Sequence, residues 1–113
     1  MTSDADSYRK LLATRLSELD EQDRISATDR APVQLDQDSV GRLSRIDAMQ
    51  VQAMALAQER RRANERMAIR AAMVRLDEGE FGYCAGCGEP IADARLRNNP
   101  TVIKCLKCAA AQN

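Results

Sequence analysis

Two Cys-x-x-Cys pairs, Cys84–Cys87 and Cys105–Cys108, constrain this chain more than any other feature. They contain all four of its cysteines, and there is no histidine. A Cys-x-x-Cys turn brings two sulfurs onto one side of a metal, and four thiolates complete the tetrahedron that Zn²⁺ prefers. The 17 residues between the pairs suit a short turn-and-extended excursion that closes the site. Four protein ligands leave no open position for water, so the reading is one structural zinc held by Cys84, Cys87, Cys105 and Cys108. Its binding free energy would supply much of the folding energy of a module with almost no core. A redox dithiol pair, a site that no longer holds metal and an iron–sulfur cluster are the other readings, and the paired spacing favours zinc over the last.

The rest of the chain cannot offer a thick globular core. Tyr8, Phe81 and Tyr83 are its only aromatic residues among 113, and 30% of the residues are charged. A middle rich in Ala, Glu, Arg, Leu and Met points to long helices that share a thin seam. No apolar run reaches the length of a membrane span and no secretory h-region follows Met1, so a cytoplasmic location is expected. In that reducing compartment, paired cysteines are better explained as metal ligands than as disulfides.

Hydropathy periodicity predicts two helices. Tyr8, Leu12, Leu16 and Leu19 lie on one face, flanked by Leu11, which predicts a helix over about 7–29 with Ser7 as its cap. Pro32 and the polar residues around it read as a turn over about 30–38. From about 39 to 78 there is no proline, and Gly41 is the one glycine. This predicts a long helix with the seam Ile46, Met49, Ala53, Leu56, Arg60, Ala63, Met67, Arg70 and Val74, stopped at Gly79. The expected fold is therefore mainly α: a long antiparallel helical hairpin (a coiled coil) over 1–79 and a small four-cysteine zinc module over 80–113. A bare dimerisation coiled coil or a spacer is the plainer alternative for such a hairpin.

Charge narrows the partners. The 17 basic and 17 acidic residues cancel. Residues 1–38 hold nine acidic and five basic side chains, residues 39–80 six and eight, and residues 81–113 two and four. A neutral chain is a poor nonspecific nucleic-acid binder, because such binding comes from neutralising many phosphates. Arg60, Arg61, Arg62, Arg66, Arg70 and Arg75 read as a solvated face interrupted by Glu59 and Glu65, or as a contact for phosphate or an acidic partner.

The linker between the cysteine pairs adds a more specific mark. Cys84, Cys87, Ile91, Arg95, Pro100, Cys105 and Cys108 stand at the offsets of the DksA/TraR C4 zinc-finger signature, with FGYC as a typical lead-in. The chain resembles that family over about 25 motif residues, and a short helix followed by a long one extends the resemblance over most of its length. It would be a short member without the family's usual extra N-terminal region. The resemblance implies a transcription regulator, not an enzyme, that binds RNA polymerase directly. Such proteins insert a helical hairpin into the secondary channel and modulate initiation, often with a guanosine tetraphosphate alarmone. No sequence-specific DNA contact and no membrane contact are implied.

Well-known members carry Asp-x-x-Asp-x-Ala at the hairpin tip. Counting back from Cys84 reaches Gly41–Ile46, where Ser44 and Ile46 stand in place of the second Asp and the Ala. The candidate tip residues are Asp36, Asp38, Ser44 and Arg45. Alternatives of other classes are a zinc-ribbon nucleic-acid-binding module using Arg95, Arg97, Lys104 and Lys107, and a zinc/thiol redox sensor. The first lacks the aromatic platform for base stacking. An enzyme is disfavoured because there is no histidine base, no cysteine outside the metal set and no phosphate-cradling glycine loop.

Overall fold

A computed structural model of the protein describes residues 2–31 and 41–111, with side chains over 4–31 and 45–111. The described elements are α1 (Thr2–Ile25), α2 (Ala27–Arg30), α3 (Gly41–Asp77), α4 (Asp93–Asn98) and α5 (Leu106–Ala111). Tyr83 and Pro90 form an isolated antiparallel bridge. Among the described residues, no helix is long and apolar enough to cross a membrane. Asp36 and Asp38, with most of the turn expected over 30–38, lie outside the described residues, as does the side chain of Ser44.

Helix α1 begins at Thr2, ahead of the Ser7 cap read from the sequence. Nothing before Ser26 stops it: residues 2–25 contain no glycine or proline, and Asp4 in the first turn complements the positive end of the helix dipole. The helix ends where Ser26 turns its hydroxyl back toward the Asp23 carbonyl, 3.4 Å away. Serine offers the backbone this kind of local alternative to helix.

At the other end of the long helix, Gly79 takes a left-handed φ of 75°. The Gly79 amide donates to Leu76 O and the Glu80 amide to Arg75 O. This pair of bonds is a Schellman cap, which satisfies carbonyls that the helix end would otherwise leave open.

Contacts gather the chain into two compact units, residues 1–16 with 66–113, and residues 17–65. In the first unit the buried side chains are Tyr8, Leu12, Ile69, Ala72, Leu76, Ile91 and Leu96 together with Cys84. Arg9 pairs with Asp77 at 2.9 Å across the two helical segments of this unit. In the second unit Leu19 is fully buried, Ala55 is buried, and the remaining seam is polar. There Arg62 Nε donates to Asp23 at 2.5 Å and Arg62 Nη2 to Ser26 Oγ at 3.0 Å. Arg30 pairs with Glu59 at 3.2 Å, and Gln52 donates to Ala31 O at 2.9 Å. The partner number on α3 falls as the number rises from Asp23 to Ala31, so the segments run antiparallel.

The buried face of α3 is not the seam that its apolar residues predict. Gln52, Ala55, Glu59, Arg62, Arg66, Ile69, Met73 and Leu76, one residue back from the apolar series, are buried or half-buried, and Ala72 is buried beside them. Ile46, Met49, Leu56, Met67 and Val74 are exposed, Met67 to 68%. The physical reason is polar pairing. Arg62 is only 8% exposed because Asp23 and Ser26 satisfy it, so an arginine occupies a core position that a hydropathy count passes over. The arginine cluster is divided accordingly. Arg62 is buried and Arg75 is committed to backbone carbonyls, while Arg60, Arg61 and Arg70 are exposed.

One consequence is an unusual stretch of α3. Residues Ala48–Gln58 carry no charge, yet Met49, Val51, Met54 and Leu56 are all exposed there.

Candidate metal centre

The cysteine module starts where α3 is capped. Arg75 Nη2 donates to Glu80 O at 3.1 Å and to Tyr83 O at 2.6 Å, fixing the lead-in to the first cysteine turn against the helix end. A tight loop then brings the first pair into place. The Cys84 amide donates to Glu89 O at 2.8 Å, the Gly88 amide to Cys84 O at 2.9 Å, and the Ile91 amide to Gly82 O at 2.7 Å. Gly88 sits at φ 79°, a left-handed conformation that suits glycine. Gly86 is needed for a different reason: a Cβ there would stand 3.2 Å from Cys108 Sγ and 3.6 Å from Cys84 Sγ.

The second pair arrives on α5. Cys105 lies just before that helix and Cys108 within its first turn, and the Ala85 amide donates to Ile103 O at 2.7 Å to bring the two turns together. Arg95 Nε donates to Lys104 O at 3.1 Å and so braces the linker next to Cys105. Ile91 is buried and Pro100 is half-buried. The three linker positions that mark the motif are thus packing and bracing positions, while Arg97 is drawn off to Asp93 at 2.8 Å. Phe81 packs on Tyr8, with ring centroids 4.8 Å apart.

All four sulfurs lie within 4.8 Å of one another, and those of Cys87 and Cys105 are 3.8 Å apart. A zinc tetrahedron with Zn–S bonds near 2.3 Å has S···S edges of about 3.8 Å. The donor set therefore fits a four-thiolate zinc site. Its electrostatics point the same way. Backbone amides of Cys105, Cys87 and Gly86 aimed at Cys84 hold its thiol down at about 5, and Gly86 N is 3.3 Å from the sulfur. Cys108 is pushed up to about 12 by hydrogen bonds from its thiol to Cys84, Cys105 and Cys87. Converging amides thus favour a thiolate at Cys84, neighbouring sulfurs hold the proton on Cys108, and a bound cation would balance the charge gathered there. Cys84 is buried and Cys87 is exposed.

The other site residues read from the sequence do not join this centre. Arg45 is exposed on α3, and Asp36, Asp38 and the Ser44 side chain lie outside the described residues. The sequence reading missed the Arg75 brace and the bond from the Tyr8 hydroxyl to Asp93, 2.6 Å long across 85 residues. A helix C-cap next to a metal motif was a usable signal for the first. Nothing local signals the second.

A capped helix, a four-cysteine cluster and α-helical units without strands among the described residues define a C4-type zinc-finger protein built on long helices. Residues 79–113 match the prokaryotic dksA/traR C4-type zinc finger. Over 40 residues the chain is 45% identical to the RNA polymerase-binding transcription factor DksA of Haemophilus influenzae, covering 35% of this chain and 28% of that protein. Over 94% of this chain and 91% of the other, it is 30% identical to the DnaK suppressor protein of Agrobacterium tumefaciens C58, with a TM-score of 0.50. The fold also matches transcription factor DksA2 of Pseudomonas aeruginosa, with a TM-score of 0.77 at 24% identity over 97% of this chain and 83% of that one. The chain belongs to the DksA/TraR family of zinc-finger proteins. Its cofactor is one structural zinc ion, and the residues that would hold it are the four cysteines of the cluster.

Proposed function

We propose that this protein is a non-enzymatic, cytoplasmic transcription regulator that binds RNA polymerase directly and modulates initiation by inserting its helices into the secondary channel. In this reading residues 1–79 are the inserting hairpin and 80–113 the zinc-finger module. Cys84, Cys87, Cys105 and Cys108 ligate the metal, which fixes the end of α3 and takes no part in chemistry. Support comes from the Haemophilus relative, described as an RNA polymerase-binding transcription factor, of which the match covers 28%.

The observation that carries the reading is a charge-free stretch of α3 with exposed apolar side chains on both of its flanks. Met49, Val51, Met54 and Leu56 are exposed there. Exposed apolar surface of this kind marks contact with another macromolecule, and methionine side chains adapt to irregular partner surfaces. A neutral net charge argues for a protein surface over a nucleic-acid backbone.

Asp36, Asp38, Ser44 and Arg45 are proposed as the residues that approach the active site, and a guanosine tetraphosphate alarmone as a co-regulator. In vitro transcription with each of the four changed singly tests the assignment. The expected result is altered open-complex lifetime at unchanged polymerase affinity. Four variants that bind and regulate like the parent would contradict it.

A further inference from the structure

A cavity of about 310 Å³ lies within the unit that contains the cysteine module and is used by neither the metal centre nor the apolar stretch of α3. Its walls include Leu76, Leu96, Phe81 and Tyr83, and its polar groups include the carboxylates of Asp4 and Asp93. Gly79 and Gly82, both at positive φ, line it without side chains, and a Cβ on Gly82 would touch Leu96 Cδ1 at 3.6 Å. Small-molecule sites usually run from ~300 to 1,000 Å³, so this one is sized for a single side chain.

The lining is amphipathic in a particular way. Aliphatic and aromatic residues line a path for an apolar stem, and two acidic residues, Asp4 and Asp93, also line the cavity. Asp93 is already engaged, accepting from the Tyr8 hydroxyl and pairing with Arg97. Asp4 is exposed, and it is near enough to act electrostatically on both the Tyr8 hydroxyl and Arg97. Tyr83 is half-exposed and lines the cavity. The protein itself shows what such surroundings hold. The Arg97 guanidinium lies 5.4 Å from the centroid of the Tyr8 ring while bonded to Asp93. A planar guanidinium stacks on aromatic faces and pairs with carboxylate, and it sheds water more easily than an ammonium group.

We propose that this cavity receives an arginine side chain presented by a protein partner, with its stem against Leu76 and Leu96 and its guanidinium between Asp4 and Tyr83. Its lining shares no residue with the charge-free stretch of α3, and the proposal stands whether or not the partner is RNA polymerase.

The test is an amide NMR titration of the zinc-loaded full chain with N-acetyl-arginine-N-methylamide, beside the citrulline analogue (its neutral isostere) and guanidinium ion alone. Saturable shifts centred on the Gly79, Gly82, Tyr83 and Asp93 amides are expected with the arginine probe. Asp4→Asn should weaken binding about threefold, the scale of an exposed charge pair, and Tyr83→Ala should weaken it as well. Equal binding of the citrulline probe would overturn the cation claim. Equal binding of free guanidinium would overturn the side-chain claim in favour of a small-cation site. Absence of saturable shifts, or affinity unchanged in both variants, would overturn the proposal altogether.

Discussion

Arg62 shows how much one side chain can decide. Its guanidinium occupies an inward position on α3, held by Asp23 at 2.5 Å and Ser26 at 3.0 Å, and it is nearly excluded from solvent. Removing one member of such a pair leaves a charge without compensation, so Arg62→Ala should cost about 3 kcal/mol in denaturant unfolding. Replacing both charges together, Asp23→Leu with Arg62→Met, should recover most of that loss, because well-packed apolar isosteres often match a buried ion pair. A double variant as unstable as the single one would show that packing around Arg62, and not its charge, sets the cost.

Tyr8 gives a second residue-level prediction. Burial, with its bond to Asp93, pushes its phenol up from 10.0 to about 12. A raised value in the folded state means stability that is complete below the ordinary tyrosine value and is lost as pH rises through about 12. Asp93 works on the other limb. The Tyr8 hydroxyl and Arg97 hold its carboxyl below the usual range, so its contribution is present above that range and is lost as pH falls through the lowered value. Tyr8→Phe should therefore flatten both the acid and the alkaline limbs of the stability profile. A profile identical to the parent's would contradict the assignment.

At the scale of the element, α3 carries two lengthwise stripes of opposite character. The inward stripe runs through Ala55, Arg62, Ile69 and Leu76, and the outward one through Met49, Leu56, Met67 and Val74. Ile69→Ala should cost about 3 kcal/mol, since it empties a fully buried position. Met67→Ala, two residues away, should change stability by no more than about 0.5 kcal/mol. Thermal unfolding distinguishes them, and the reverse order would restore the apolar seam as the packed one.

The two long helices were legible from hydropathy and from the absence of breakers, and of the α1 stripe Tyr8, Leu12 and Leu19 are buried, Leu16 is half-buried and the flanking Leu11 is exposed. The facing stripe of α3 was not legible. Periodicity counts apolar residues, whereas this seam is closed partly by Arg62, Glu59 and Gln52, whose partners lie on a different segment. The Gly79 stop was readable because a left-handed helix end calls for that residue.

At the scale of the whole molecule, the cysteine cluster was the most readable part, because metal ligation demands fixed residue types at fixed spacings. Ile91 and Arg95 added the family mark, and the structure shows their local work: Ile91 is buried, and Arg95 holds the Lys104 carbonyl. The long-range bond between Tyr8 and Asp93 was invisible, since no spacing rule links residues so far apart. The functional end of the molecule rests on the exposed, charge-free stretch of α3 and on the relatives' descriptions. It is therefore open to one decisive measurement. Zinc-loaded protein should form a stable complex with purified RNA polymerase at micromolar concentration, and a second factor that occupies the secondary channel should displace it. Absence of a complex, or a complex that such a competitor leaves intact, would contradict the account.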